Sequence, residues 1–338
     1  RIVGTSMGAI VGALYASGHT ADEIEAIVTQ VDWKGTLSDD TLRQDQPIRR
    51  KLDSLTFGGD GNEIGFRDRA LQLPRGLLQG QRLELLLRRI LLPAAHVESF
   101  DDLPIPFRAV ATDIVDGSEV VIARGNIAAA IRASMSVPGV FQPIRFEGRL
   151  LIDGGIANNV PVSVARSFGA TRLIVVDVGA PLLREDELDS PVSVSYQVIT
   201  VLMQRVTDAA IATLGDQDVL IRPKLGDIGS ADFVRAIQSV PLGAAAAEAS
   251  LEKLRDMSVD AQSYARFAEH RQIRAPVRKR IEFVRVVEGR SRSAGLVRTR
   301  LKDLEGQPFD LAALELAIAK IYADDRFERI TWRPVEEE

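Results

Sequence analysis

Near its beginning the chain sets a serine between two glycines, Gly4-Thr5-Ser6-Met7-Gly8. Ile2 and Val3 read as the end of a strand, and residues 9–17 as a helix with Gly18 at its C′ stop. A G-x-S-x-G run at such a junction is an elbow, in which strand turns sharply into helix and the serine Oγ stands clear of the sheet. Both glycines are expected to be required, because the two backbones pass so closely that a Cβ would clash. The helix N-terminus aims free N–H groups and positive dipole at any anion forming near Ser6. With ordinary Gly and Ser usage the five letters recur by chance in about one chain in ten of this length, so context must carry the assignment. Gly12 costs about 1 kcal/mol inside a helix relative to Ala. With Gly8, Ala9, Ala13 and Ala16 it gives a small-faced helix that can lie hard against a sheet.

The 338 residues leave room for one large core and a smaller domain. A hydrophobic content of 46% with 26% charged residues is ordinary for a globular protein. The net charge of −5 argues against nucleic acid as the principal partner, since phosphate binding wants a basic surface. No run approaches the roughly 18 apolar residues of a spanning helix. The absence of cysteine excludes a disulfide scaffold and a thiolate nucleophile, and fits either a cytosolic or an exported protein. The chain opens almost on the elbow, with no initiator Met and no signal segment. A doubly wound sheet normally sets a strand before that point, so the expectation is an excerpt from a longer polypeptide.

Downstream, Thr20-Ala21-Asp22-Glu23 is a capping box that opens a helix to about residue 30. Residues 35–80, with Gly58, Gly59, Gly61 and Gly65, read as a hairpin or mobile loop. The leucine-rich helix 80–92 reads either as a buried helix or as a lipid-facing lid. Strands are expected at 107–114 and 119–123, a helix at 126–135, and a hairpin at 144–146 and 149–152 around Glu147-Gly148. A helix at 161–168 starts on Pro161. Residues 173–178 form an apolar, β-branched run typical of a strand in a buried parallel sheet. A long helix (192–214), a strand (219–223) and further helices to about 272 follow. Alternating strands and helices argue for an α/β layered fold. Composition shifts at Arg274-Ala275-Pro276. Beyond it a strand (281–287), a helix (294–301), a helix striped by Leu311, Leu314, Ile318 and Ile321, and a strand (329–335) make a small α+β unit.

A serine hydroxyl is a poor nucleophile until a base takes its proton. The histidines are His19, His96 and His270. In the order Ser, acid, His only His270 lies late enough, and its surroundings, Ala268-Glu269-His270-Arg271, read as a solvated face. A carboxylate is the other choice. Asp153 ends the strand 150–152 and is followed by Gly154-Gly155, a place suited to an active-site base, although an Asx-type turn would look the same. Asn158-Asn159-Val160-Pro161 supplies polar side chains able to hold the following loop.

Taken together, Gly4-Thr5-Ser6-Met7-Gly8, Arg132-Ala133-Ser134-Met135-Ser136-Val137-Pro138 with Phe141 and Pro143, Asp153-Gly154-Gly155 and its continuation to Val162 resemble the patatin-like phospholipases. The motifs keep the family's order and spacing over residues 1 to about 180. The resemblance implies a layered α/β sheet with helices on both faces, and a Ser–Asp dyad with no histidine. Ser6 would be the nucleophile and Asp153 the base. The Met7 N–H would serve as an oxyanion donor, and Gly4, Gly8, Gly154 and Gly155 would give backbone support. It implies a serine acyl hydrolase of the phospholipase A type acting on phospholipid at a membrane surface, with no cofactor and no metal. The family's Gly-rich oxyanion loop precedes the elbow, upstream of Arg1. A polypeptide beginning at Arg1 would lose about 10²–10³ in turnover for even one missing donor.

Residues 281–338 resemble a POTRA domain, through Val286-Val287-Glu288-Gly289, Leu304 to Asp310, Ile321-Tyr322-Ala323 and Phe327 to Ile330. The expected organisation is a patatin-like lipolytic domain (1–272), a linker (273–280) and an incomplete POTRA-like domain (281–338). That order is similar to bacterial patatin-like autotransporters. It implies a cell-envelope or secreted location (a cytoplasmic one being the alternative), a C-terminal β-barrel in the longer polypeptide and a possible homo-oligomer. Two other readings stay open: a histidine-dependent esterase using His270, and a lipid-binding or adhesion module without turnover.

Overall fold

The computed structural model describes residues 1–36, 65–67, 70–72, 80–229, 232–271, 280–287, 291–322, 327 and 329–335. The first strand, β1 (Ile2–Thr5), runs into α1 (Met7–Ala16), and α2 (Ala21–Gln30) follows. The cap on α2 is the one its sequence dictates: Thr20 Oγ1 accepts from the Glu23 N–H at 3.1 Å, and the Glu23 carboxylate accepts from the Thr20 N–H at 2.8 Å. Gly18 stops α1 with φ 102°. After a one-turn α3 (Trp33–Thr36) and a short antiparallel pair, β2 (Gly65–Arg67) and β3 (Ala70–Gln72), comes α4 (Gln81–Ile90). Most of the expected 35–80 loop lies outside the described residues.

The main sheet contains β1, β4 (Phe107–Asp113), β5 (Glu119–Ile122), β6 (Ile144–Phe146) and β7 (Arg149–Asp153). β1 is parallel to β4, whereas β5 and β7 are antiparallel to it. Glu147 and Gly148, at φ 45° and 83°, make the tight reversal between β6 and β7. Helix α5 (Ile127–Ser134) is capped by the Asn126 side chain and packs with α1 over the sheet. Ala13, Phe107, Ile131 and Leu151 are fully buried there. A Cβ on Gly12 would press against Ile2 and Phe107, so the small face of α1 does lie hard on β1 and β4.

From β7 the chain enters the one-turn α6 (Gly155–Asn158), then α7 (Val162–Ser167) and β8 (Ile174–Val176). Strand β8 is parallel to β9 (Val219–Ile221), and α8 (Pro191–Ile211) connects them. The apolar run at 173–178 is therefore not buried on both faces. Leu173 and Val175 pack with Val160 and Val162, while Ile174 and Val176 are 53% and 54% exposed and face a cavity. The reason is that among the described residues β8 has one strand neighbour, and α7 covers one of its faces.

Helices α9 (Ala236–Ala249), α10 (Leu251–Arg255) and α11 (Ala261–His270) follow. Of the expected linker (273–280), all but Arg280 lies outside the described set. Further on, α12 (Ser291–Leu301) and α13 (Leu311–Tyr322) bury Val297, Leu301, Leu314, Ile318 and Ile321 against one another, as the helical stripe predicts. The strands expected at 281–287 and 329–335 form no ladder among the described residues; one bridge joins Arg280 to Pro308. Side chains take up their backbone groups instead. The Gln81 amide bonds both the Ile330 carbonyl (2.7 Å) and the Ile330 N–H (3.0 Å), and Glu305 accepts from the Val284 N–H. Arg88 of α4 donates to the Trp332 carbonyl and pairs with Glu84. Thus α4 is a buried helix, with Leu83 and Leu87 in the main core and Leu85 against the C-terminal cluster.

Candidate active site

Strand register explains why two residues so far apart in sequence meet. Ala109 pairs with Gly4 on one side and Ile122 on the other; Ala111 pairs with Asp153 and with Val120. Since β5 holds one edge of β4, β1 and β7 share the other and run toward each other along it. β1 ends with Thr5 opposite Val110, and β7 ends with Asp153 opposite Ala111. Ser6 is the next residue after Thr5, so the two strand ends abut and the Ser6 hydroxyl donates toward the Asp153 carboxyl.

Ser6 sits at φ 52° and ψ −118°, a conformation that costs a non-glycine residue on the order of 1–3 kcal/mol and persists only where its surroundings hold it. Its N–H donates to Ser134 Oγ at 2.9 Å, and that hydroxyl donates to the Val110 carbonyl at 2.5 Å. The carbonyls of Ser134 and Ser136 accept from the Gly154 and Asp153 N–H groups at 3.1 and 2.9 Å. Thr112 Oγ1 donates to the Asp153 carbonyl. Beyond the site, Thr5 Oγ1 donates to the Asn158 carbonyl and Asn159 Nδ2 to Thr207, so the Asn-Asn loop is held as its composition suggests.

The flanking glycines divide. A Cβ on Gly4 would overlap the Gly8 carbonyl, and one on Gly154 would overlap the Val110 carbonyl, so both are required by close backbone approach. Gly8 is different: a Cβ there meets open space. The expectation that both elbow glycines are needed sterically is corrected for Gly8, because it lies on the exposed first turn of α1 rather than beneath it. At Gly155 the added Cβ would press on the Met203 methyl, the yielding end of a flexible side chain. Met7 opens α1, where helix geometry leaves N–H groups without helical acceptors.

Asp153 is 1% exposed. Burial pushes its carboxyl up to about 6, against the downward pull of hydrogen bonds from the Ser6 hydroxyl and the Gly155 N–H. Oδ1 accepts from Gly155 at 2.7 Å, and Oδ2 makes no complete hydrogen bond, leaving it the atom able to take a proton. None of the three histidines reaches this place. His19 bonds the Leu14 carbonyl, His270 bonds the Arg266 carbonyl from an exposed helix end, and His96 is exposed; none lines the cavity.

That cavity, about 1740 Å³, opens beside Ser6 and Asp153 and runs between β1 and β8. Leu83, Leu86, Leu87 and Ile90 of α4 wall one part of it, and Val137, Val140 and Phe141 another. Of the stretch just before α4, residues 55–64, 68–69 and 73–79 lie outside the described set. No cluster of ligating side chains able to hold a metal occurs among the described residues. Nor is any helix among them long and apolar enough to cross a membrane.

Residues 1–166 match the model of the patatin-like phospholipase family. Relatives include an uncharacterized NTE family protein of Mycobacterium tuberculosis, 34% identical over 177 residues (52% of this chain, 40% of the relative). A second NTE family protein of that organism is 25% identical over 279 residues (76% of this chain, 42% of the relative). Patatin-like phospholipase domain-containing protein 7 of Mus musculus is 30% identical over 191 residues (56% of this chain, 12% of the relative). The chain thus spans less than half the length of each of these relatives.

Proposed function

We propose that this chain is a lipolytic acyl hydrolase that cleaves phospholipid acyl esters through Ser6 and Asp153. The observation that carries the reading is the meeting of those two side chains at abutting strand ends beside an apolar cavity. In the first half-reaction Ser6 Oγ attacks the ester carbonyl carbon and its proton passes to Asp153. The C–O bond to the leaving alcohol breaks, Asp153 returns the proton to that oxygen, and an acyl-Ser6 ester remains. Water then attacks the acyl carbon, gives a proton to Asp153, and the fatty acid leaves as Ser6 Oγ is reprotonated. Positive dipole and N–H groups at the start of α1, that of Met7 first, face the developing oxyanion. The apolar walls suit an acyl chain, and the family model and the mouse relative's name both point to phospholipid.

For residues 281–338 the reading as a POTRA-like module of a cell-envelope protein rests on the sequence motifs and on the α12–α13 pair. Fractionation of the full-length polypeptide between envelope and cytoplasm tests it, and recovery in the cytoplasm alone removes it. The enzymatic reading is tested by fatty-acid release from mixed phospholipid vesicles by the full-length polypeptide and its Ser6→Ala twin. Release by the parent and loss of about 10³-fold or more in the variant is expected. Lipid retention with no acid release would instead favour a lipid-binding module, and unchanged release by Ser6→Ala would remove the dyad.

A further inference from the structure

The stretch from Ser134 to Ser136 touches both members of the pair, by different groups. Its carbonyls hold the Asp153 and Gly154 N–H groups. Its contact with Ser6 is a side-chain contact, made by the Ser134 hydroxyl alone. We propose that Ser134 is a positioning residue for the reaction: its hydroxyl, anchored on the Val110 carbonyl, fixes the left-handed backbone of Ser6 and so aims Ser6 Oγ at Asp153. This inference rests on the Ser6–Asp153 reading above.

Three features of the molecule support it. Ser6 lies past the last paired residue of β1 and ahead of the helix, so neither the ladder nor α1 supplies an acceptor for its N–H. Ser134 supplies that acceptor, and with it the reason a positive φ persists at a non-glycine residue. Second, Ser134 is fully buried, so water cannot replace the hydroxyl if it is removed. Third, the Val110 carbonyl that anchors Ser134 belongs to the residue opposite Thr5, and Gly154 passes close over the same carbonyl. One peptide group of β4 is therefore the shared reference for both strand ends. The last residue of α5 ties the elbow to it. A small displacement of a nucleophile from its attack geometry is amplified in rate, because alignment contributes much of the acceleration.

The test uses the full-length polypeptide, a chromogenic carboxylic ester, and steady-state rates across pH 5 to 9 normalised to the folded fraction by circular dichroism. Ser134→Ala is expected to lower kcat by about 10–100-fold with KM within about twofold. It should also move the rising limb of the pH–rate profile above its parent position, since Asp153 loses the hydroxyl that holds its carboxyl down. Ser134→Thr, which keeps the hydroxyl, should restore both. A Ser134→Ala variant with the parent's kcat and limb, or with a loss explained wholly by unfolded protein, overturns the proposal. Should Ser134→Ala fail to fold, Ser134→Cys fills the same site with a weak acceptor and must show the same two changes. An active Ser6→Ala would remove the underlying dyad, whereas an inactive Ser6→Ala beside a fully active Ser134→Ala removes this inference alone.

Discussion

The main sheet and the β8–β9 pair each bury an aspartate at a strand boundary, and the two carboxyls end in opposite states. Asp153, at the end of β7, accepts from the Gly155 N–H, lies beside the Ser6 hydroxyl that pulls its carboxyl down, and has no ion pair among the described residues; burial wins and its carboxyl rises to about 6. Asp218, just before β9, also loses solvent, which pushes it up. The N–H groups of Gly215 and Leu173, together with the Arg166 guanidinium, outweigh that and hold it below the usual range. Burial without a cation makes a base near neutrality; burial with one favours the carboxylate, which then ties β9 to the start of β8.

The largest expected effect separates the two by chemistry. Asp153→Asn should lower kcat for ester hydrolysis by about 10³-fold or more, and Asp218→Asn should leave the rate per folded molecule within about threefold. Equal losses in both variants would break the contrast. Stability should divide them the other way, measured by urea unfolding. The Asp153 carboxyl binds its proton more tightly folded than unfolded, so its contribution to stability is present below about pH 4 and is lost as pH rises through about 6. Asp153→Asn should therefore gain on the order of 2 kcal/mol at pH 8 relative to its effect at pH 4. Asp218 has the opposite sign: its stabilisation is present above the unfolded carboxylate pKa and fades as pH falls through its lowered folded value. Asp218→Asn should lose about 2–3 kcal/mol at pH 7.

A smaller effect sharpens the comparison through pH alone. kcat/KM should climb as pH passes about 6 and level off above it, and a limb near 4 would mean that Asp153 is solvated rather than buried. The smallest contrast lies within the elbow. Gly8→Ala should stay within about twofold of the parent rate, because an added methyl there enters open space. Gly4→Ala drives backbone against backbone and should lower both activity and folded yield.

Much of the fold was legible in the sequence because its signals were local. The Thr20–Glu23 box, the Glu147-Gly148 reversal and the stripe of Leu314, Ile318 and Ile321 each act within a few residues of themselves. Signals that needed a distant partner read less well. The β-branched run at 173–178 announces a strand but not how many neighbours it will have, so its exposed face could not be foreseen. The extended segments at 281–287 and 329–335 have strand composition, yet Gln81, Arg88 and Glu305 take up backbone groups a ladder would use. Propensity describes a residue's fit to a sheet and does not supply the sheet.

The elbow, with Gly4 beneath Gly8 and a serine at the strand-to-helix turn, was determined by five consecutive letters, since backbone contact over so short a span leaves only glycine room. Asp153 was visible in the same way as an acid at a strand end. That these two should meet was decided by the tertiary structure. Two strands from opposite ends of the domain share one edge of β4, and only register brings their last residues together. The protonation of Asp153 and the service of Ser134 follow from that packing, because burial and hydrogen-bond partners belong to the assembled core and not to any single segment.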